Sequence, residues 1–454
     1  MVAERYGSSV ADPAPLAQQM QLHPSGRVVK NRFMKAPMAE GLASWSPKVP
    51  TERGIPTDEL VDLYRRWGEG ENSWGLIVTG NIETDSKLIA APGDMVITPE
   101  FKPEGERFEM FKKVAAAGKA NGSVMVAQIT HPGRQLQHRV SQVTVAPSDV
   151  PMEAERNGVK YAKPHAATHD EIARIIEGFA YAAEYLEKAG FDGVELHAAH
   201  GYLLSQFLSR ATNKRTDEYG AHTMQSRLRF ISEVGRAIKS RVSPSFIVGA
   251  KLNSVEFQDG GVNPEEAQEL CRALEDLGFD FVELSGGTVE KLGMDWTKDS
   301  TRRREAFFLE FAEAITKTLG SDSKLKVYLT GGFRSAEAMV KSLNAVHGIG
   351  IGRPAAAEPR LSRDILEGRV TGSIKPLEEF ENNLMGGLAI AGAQIAQIGQ
   401  GNEPLDYGNA EVIKTMKADM ELWWEKTVQD GDRLEYVRPP RYSGPQAPYQ
   451  AVLA

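Results

Sequence analysis

The residues best suited to chemistry are two histidines and a tyrosine in one short run, His197, His200 and Tyr202. A neutral imidazole can donate a hydrogen bond to a carbonyl oxygen, and a nearby phenol can supply a proton. The same spacing would also suit two metal ligands, or two core histidines that make structural hydrogen bonds. A metal site needs further ligands, and no other cysteine or histidine ends a neighbouring candidate strand in a matching position. We therefore predict that this run binds and protonates a carbonyl compound and holds no metal.

Two glycine-containing loops form a second chemical feature. Gly331 and Gly332 follow one short apolar run, and Gly352 and Arg353 follow the next. Glycines let backbone N–H groups approach a phosphate, a helix that begins near Ser335 adds partial positive charge, and an arginine can bind phosphate through two hydrogen bonds. Either loop alone would be explained equally well by an ordinary turn. Because the loops follow consecutive candidate strands, we predict that together they bind one phosphate.

These loops end short apolar runs that alternate with longer helical patterns. The runs predict eight strands buried on both faces: Arg32–Pro37, Gly75–Thr79, Val124–Ile129, Gly193–His197, Ile247–Leu252, Phe281–Ser285, Val327–Thr330 and Gly348–Ile351. The segments Gly190–Leu196 and Gly278–Leu284 repeat one helix-to-strand turn, which predicts parallel strands with helical crossovers. No Gly-x-Gly-x-x-Gly loop follows an early strand, as an open doubly wound sheet would require. The prediction is a (β/α)8 TIM barrel, with the active site at the C-terminal strand ends.

The segments at either end of the barrel have a different composition. Residues 1–22 are mostly small and polar and predict a loose N-terminal arm, and residues 23–370 predict the barrel. Beyond Pro359 the strands stop, Leu361–Gly368 and Ala410–Asp430 predict helices, and the end is rich in proline. We predict that residues 371–454 form an extension packed on the barrel or on a neighbouring subunit, with a partly disordered tail as the alternative.

Composition excludes several classes of protein. The chain has 454 residues and a net charge of −8, from 53 basic and 61 acidic residues, without a basic stripe for nucleic acid. The single cysteine, Cys271, cannot form an internal disulfide or hold an iron–sulfur cluster. No apolar run approaches the ~20 residues of a membrane helix, and the first residues lack a signal-peptide pattern. We expect a cytoplasmic protein without nucleic-acid or membrane partners.

Several of these segments, taken together, closely resemble the Old Yellow Enzyme family. The matching segments are Asn31–Met38, Gln128–Gln135, His197–Ser209, Thr212–Gly220 and Gly350–Pro354. The resemblance runs in order over roughly residues 20 to 370. The His-x-x-His spacing is similar to that of the thermophilic-like, or class III, subgroup, and the long C-terminal extension resembles that of fungal members.

The resemblance implies an FMN cofactor and places its binding residues. The implied flavin and phosphate contacts come from successive strand ends: Ala36, Pro37, Met38, Ala39, Asn81, Gln128, Lys251, Gly331, Gly332, Gly352 and Arg353. Lys251 would stand beside the N1–C2 edge, where a positive charge stabilises the anionic reduced flavin. It replaces the usual arginine and loses bidentate geometry, and a lysine extended to the surface is the alternative. Ala39 stands where relatives carry threonine or cysteine, which leaves the redox potential open.

The resemblance also implies an ene-reductase activity. NADPH or NADH would reduce the FMN, and hydride would pass from flavin N5 to the β-carbon of an α,β-unsaturated carbonyl compound. His197 and His200 would hold the carbonyl oxygen while Tyr202 protonates the α-carbon. The alternatives are a reduced-flavin isomerase, a barrel lyase with Lys251 as Schiff-base amine, and a flavin-binding protein without reductase activity. We expect a homodimer that acts on a small-molecule enone, enal or nitroalkene.

Overall fold

Eight parallel strands close into a barrel in the computed structural model, which describes residues 4–7, 11–152, 159–256, 260–286, 309, 312–320, 322–381 and 383–450. The strands are β1 (Phe33–Lys35), β2 (Leu76–Glu83), β3 (Val124–Thr130), β4 (Gly193–Ala198), β5 (Ile247–Val255), β6 (Phe281–Gly286), β7 (Lys326–Thr330) and β8 (Gly348–Ile351). Each strand pairs in parallel with the next, and β8 pairs with β1. The predicted (β/α)8 barrel is confirmed.

Helices connect the strands on the outside of the barrel. The helices that follow the strands are α1 (Asp58–Trp67), α2 (Gly105–Lys119), α3 (His169–Lys188), α4 (Leu203–Leu208), α5 (Met224–Lys239), α6 (Pro264–Asp276), α7 (Ala336–Ser342), α8 (Arg353–Ala357) and α9 (Leu361–Leu366). Residues 312–319 are also helical. Helix α3 begins with a reciprocal capping box between Thr168 and Glu171, which satisfies the exposed N–H groups of its first turn.

Strand β2 is longer than its apolar run predicts. The run ends at Thr79, but the strand continues to Glu83 because its last residues pair with β3 beyond an irregularity in register after Val78. Asn81 therefore lies inside the strand, opposite Gln128, and not in the loop that follows it. The irregularity changes which side chains share a face, since strand side chains alternate.

Strand β5 is also longer than predicted and runs three residues past Leu252. Lys251 lies within it, opposite His197 of β4 and Glu283 of β6. Parallel register alone thus brings a cation, an imidazole and a carboxylate to the same level of the barrel.

The C-terminal extension forms three helices, α10 (Glu378–Glu381), α11 (Leu384–Gly399) and α12 (Ala410–Asp430). Helix α11 packs against α1 and α8 of the barrel. Farther along the extension, Arg360 binds both carboxylate oxygens of Glu403 at 2.7 Å, and Trp45 donates to the backbone oxygen of Leu434 at 2.9 Å. Helix α12 has the bounds that the sequence predicts, Ala410–Asp430. Residues 451–454 lie outside the described part of the chain.

The described part of the N-terminal segment is packed, in contrast to the loose arm that its composition predicts. Leu16 and Leu22 are fully buried, and the carbonyl of Leu16 accepts a hydrogen bond from the backbone N–H of Arg32 at 2.8 Å. Residues 1–3 and 8–10 lie outside the described residues. No helix in the described ranges is both long and apolar enough to cross a bilayer.

Candidate active site

A tight turn at the end of β4 presents the two histidines and the tyrosine. His200 adopts a φ of 55° and Gly201 a φ of 79°, a left-handed conformation that is costly for a residue with a side chain. The turn is held from both sides. The N–H of His200 donates to Asn253 Oδ1 at 3.2 Å, and its carbonyl accepts from Gln135 Nε2 at 2.8 Å. Tyr202 follows as the N-cap of α4.

The three predicted side chains lie together at the mouth of the barrel. The ring of His197 lies 4.3 Å from that of Tyr202 and 5.4 Å from that of His200, measured between centroids. His200 Nε2 lies 3.1 Å from Ser285 Oγ, which fixes this ring. The buried Nδ1 of His197 has no hydrogen-bond partner among the described residues. That nitrogen is therefore available to a ligand.

Both histidines are neutral at physiological pH. Burial lowers the pKa of His197 well below its usual range, and the proximity of His200 and Lys251 lowers it further. Burial, reinforced by Lys251, lowers the pKa of His200 to about 3. A neutral imidazole carries one N–H donor and one acceptor nitrogen, so each ring can donate one hydrogen bond.

The phenol of Tyr202 is held in its protonated form. Burial raises its pKa, and the negative charges of Asp94 and Glu83 raise it further. Its oxygen accepts a hydrogen bond from Asn81 Nδ2 at 3.1 Å. The sequence placed Asn81 in the flavin shell and did not predict this contact, which joins residues 121 positions apart.

Three ionisable side chains lie inside the barrel beside this site and are called here the inner cluster: Glu195, Lys251 and Glu283. Lys251 Nζ lies 2.8 Å from Glu283 Oε1, and Glu195 Oε1 accepts from Gln128 Nε2 at 2.7 Å. Burial raises the pKa of Glu195, and the charge of Glu283 raises it further. The cluster thus balances its one cation with one carboxylate, while Glu195 keeps a proton.

The sequence analysis missed Glu195 and Glu283 as site residues. A signal was present, because the repeated turn places a glutamate at the same point of both segments, two residues after the start of β4 and of β6. Only the pairing of both strands with β5 shows that the two carboxyls face one lysine.

The segment after β1, predicted to line the flavin ring, is anchored by buried polar contacts. The N–H of Ala36 donates to the carbonyl of Ile351 at 2.9 Å. Glu40, just past Pro37, Met38 and Ala39, accepts from the N–H of Gly80 at 2.8 Å and from the hydroxyl of Tyr64. A side chain at Gly80 would collide with Glu40, so glycine is required at this close approach.

The two glycine loops lie side by side at the ends of β7 and β8. Gly332 has a φ of 75°, and a Cβ added to Gly352 would meet no atom within 4 Å, so space remains above this loop. Arg353 and Arg334 line one depression with Tyr407 of the extension. The same depression is also lined by Glu381, and the open glycine backbone that precedes Arg353 in the chain fits a phosphate. Arg334, which the sequence analysis did not assign, is an additional candidate here.

The described residues offer one group of three side chains that could share a metal ion, His169, Asp217 and Glu218. It contains neither His197 nor His200. Exposed acidic groups of this kind are common without a metal, and this group lies on the outer surface.

Comparison with known proteins gives a consistent result. Residues 23–371 match the NADH:flavin oxidoreductase / NADH oxidase family. The chain is 47% identical over 446 residues to the NADH-dependent flavin oxidoreductase nadA of Aspergillus parasiticus, covering 98% of both proteins. It is 34% identical to the NADH-dependent flavin oxidoreductase iccE of Talaromyces variabilis, covering 75% of this chain and 84% of that protein. Its fold is similar to that of the old yellow enzyme homologue of Zymomonas mobilis, with a TM-score of 0.63, 23% identity and coverage of 79% and 94% of the two chains.

Proposed function

The chain belongs to the NADH:flavin oxidoreductase / NADH oxidase family, and we propose that it is an FMN-dependent ene-reductase. Its substrate class would be α,β-unsaturated carbonyl compounds, whose activated C=C bond is reduced. The observation that carries this proposal is the convergence of two neutral histidines and one protonated tyrosine at the mouth of the barrel. When bound, FMN would take a hydride from NADH or NADPH and supply it to the substrate's β-carbon.

The residues present fit the FMN that the family implies. Those that would hold its ring lie within β2, β3 and β5 or directly after β1: Ala36, Pro37, Met38, Ala39, Asn81, Gln128 and Lys251. Its phosphate would be held by Gly331, Gly332, Gly352 and Arg353, which directly follow β7 and β8. The inner cluster supports this assignment, because Lys251 is kept in place by Glu283 and supplies positive charge where a reduced flavin is negative.

The histidines would bind the substrate's carbonyl oxygen. The unpartnered Nδ1 of His197 is positioned to donate to that oxygen, and the ring of His200 is fixed beside it. As hydride reaches the β-carbon, negative charge develops on the carbonyl oxygen, and hydrogen bonds to it strengthen. Tyr202 would then give its proton to the α-carbon.

The arrangement of Lys251 favours this function over a barrel lyase. A Schiff-base lysine must reach its substrate as a neutral amine. Lys251 is instead paired with the buried carboxylate of Glu283 at 2.8 Å. A reduced-flavin isomerase is distinguished by its stoichiometry, since it consumes no nicotinamide for each turnover.

Rapid-mixing kinetics of the Tyr202→Phe variant test the proposal. This change removes the acidic hydroxyl and keeps the ring, so FMN content and flavin reduction by NADH or NADPH should match the parent. Reoxidation by an enone should slow by about 10²–10⁴-fold, the usual contribution of a general acid. Tyr181→Phe is a matched control, because the hydroxyl of Tyr181 binds the carbonyl of Phe101 on the outside of the barrel. Reoxidation of Tyr202→Phe at the parent rate would contradict the role of this tyrosine.

A further inference from the structure

Two buried carboxyl groups lie next to the end of β2 and are called here the edge pair, Glu83 and Asp94. Glu83 ends β2, opposite Val96 of the short strand Met95–Val96, and Asp94 directly precedes that strand. The side chains of both are shielded from solvent, with 0% and 1% exposure. Backbone N–H groups contact each of them, Ala90 at 3.0 Å from Glu83 Oε1 and Ala91 at 3.2 Å from Asp94 Oδ2.

The edge pair is arranged to share a proton. Glu83 Oε2 and Asp94 Oδ1 are buried and have no hydrogen-bond partner among the described residues. A proton between them would satisfy both, since neighbouring carboxylates in a dry site do not both ionise. Burial and, next, the charge of Glu40 raise the pKa of Asp94 to about 8. Burial and then the charge of Asp94 raise that of Glu83.

Asn81 connects this pair to the tyrosine. It lies on the same strand as Glu83, and its amide opposes the rise in the pKa of the Asp94 carboxyl. Its Nδ2 donates to the oxygen of Tyr202 at 3.1 Å. The end of the amide that faces the phenol is therefore its NH2 group, which can only donate hydrogen bonds.

We propose that Asn81, whose amide donates to the phenol oxygen beside the edge pair, is a positioning residue for proton transfer by Tyr202. Because the phenol oxygen accepts the N–H of Asn81, its own O–H is left to point at the substrate. In the transfer, the O–H bond of Tyr202 breaks and a C–H bond forms at the α-carbon. The phenolate keeps the hydrogen bond from Asn81 until water returns the proton. This inference rests on the proposed function, in which Tyr202 is the acid.

Other titratable groups also face this network and bear on its pH dependence. They are Glu40 beside Asp94, Asp85 beside Glu83, Tyr161 beside Tyr202, and His131 beside Asp85. Burial lowers the pKa of His131 to about 4, so this ring is neutral at physiological pH. The nearby charges are therefore negative, which leaves the N–H of Asn81 to offset them at the phenolate.

The experiment compares Asn81→Leu in the parent enzyme and in the Tyr202→Phe background. Loss of a hydrogen bond to a developing anion should slow reoxidation by an enone by about 10- to 100-fold in the parent. The solvent deuterium isotope effect on that step should rise, because proton transfer becomes slower relative to hydride transfer. In the Tyr202→Phe background the same change should add nothing. Because Asn81 also belongs to the predicted flavin shell, FMN content is measured for each variant and every rate is expressed per bound flavin.

The possible outcomes distinguish failure of this inference from failure of the proposed function on which it rests. If Asn81→Leu reoxidises at the parent rate while Tyr202→Phe is slow, the inference is wrong and the proposed function stands. If Tyr202→Phe is not slow, the proposed function fails first. Loss of FMN from Asn81→Leu, with a parent rate for the remaining flavin, would assign Asn81 to the cofactor and overturn the inference. Should Asn81→Leu fail to fold, Asn81→Ala removes the N–H donor with a smaller side chain and carries the same expectation.

Discussion

The inner cluster and the edge pair differ in what stabilises their buried carboxyl groups. In the inner cluster, Lys251 lies 2.8 Å from Glu283, and burial keeps a proton on Glu195. In the edge pair, the hydrogen bonds come from the N–H groups of Ala90 and Ala91. One group therefore contains a full cation, whereas the other is stabilised by dipoles and a shared proton.

This difference shifts the pKa values of the active-site groups in opposite directions. The cation of the inner cluster reinforces the burial that lowers the pKa of both His197 and His200. The negative charges of the edge pair reinforce the burial that raises the pKa of Tyr202. Neutral imidazoles and a protonated phenol are the forms that can donate to an oxygen and protonate a carbon. Burial is the main cause of each shift, and the nearest buried charge reinforces it.

The largest expected effect comes from removing the cation of the inner cluster. Lys251→Met leaves the carboxyl groups of Glu195 and Glu283 without a neighbouring cation. Breaking a buried ion pair in this way costs about 3–5 kcal/mol. Urea unfolding at neutral pH should show this loss in free energy of unfolding. Lys251→Arg is the control, since it keeps the charge and should cost less. A Lys251→Met variant as stable as the parent would show that the cation does not compensate these carboxyls.

The next largest effect concerns the two histidines that the inner cluster keeps neutral. His197→Ala and His200→Ala should each weaken binding of a phenol that stacks on the oxidised flavin. A lost charge-assisted hydrogen bond of about 1.5–3 kcal/mol corresponds to roughly 10- to 100-fold in dissociation constant. His165→Ala is the matched control, because His165 is exposed and binds Glu171. Parent affinity in both site variants would remove the histidines from the oxygen-binding role.

A smaller effect should follow from removing one acid of the edge pair. The pKa of Asp94 is about 8 in the folded protein, above the unfolded value of about 3.9, so the folded form binds the extra proton. This contribution to stability is present below about pH 4 and is lost as pH rises toward 8. The asparagine of the Asp94→Asn variant does not ionise, so the Tm of this variant should fall less than that of the parent between pH 5 and pH 8.5. The difference should be roughly 2–4 °C for each kcal/mol of stability that the Asp94 proton contributes.

Asp85→Asn is the control for that measurement, because Asp85 is the neighbouring acid but binds backbone N–H groups of Lys87 and Leu88 in its own loop. Its Tm should follow the parent across the same pH range. An Asp94→Asn variant with the parent's pH dependence would exclude Asp94 as the titrating group.

The smallest predicted change is the pH response of ligand binding by the parent enzyme. Since the pKa of His200 is about 3 and that of His197 is well below its usual range, neither ring titrates between pH 5 and pH 8. The affinity for a phenol with a pKa above about 9 should change less than about twofold over this range, as measured by flavin absorbance. A step in affinity near pH 6.5 would mean that one imidazole is protonated there and that the inner cluster does not hold it neutral.

The sequence by itself determined the barrel and the parts of the site that are local in the chain. His197, His200 and Tyr202 come together because they share one turn after a strand, so a short run of residues carries their geometry. The apolar runs and the repeated helix-to-strand turn predict parallel strands, since burial and turn chemistry depend on neighbours along the chain. The glycine loops likewise follow from two consecutive strand ends.

Only the tertiary structure decided which distant side chains act on that turn. Asn81 reaches Tyr202 because β2 has an irregular register after Val78, and strand side chains alternate, so the register decides which of them face the site. Lys251 meets Glu283 and lies level with His197 through the pairing of β5 with both of its neighbours. No local pattern encodes these contacts, because register across strands is fixed by packing of the whole barrel. The buried charges that set the protonation of the active site follow from that packing.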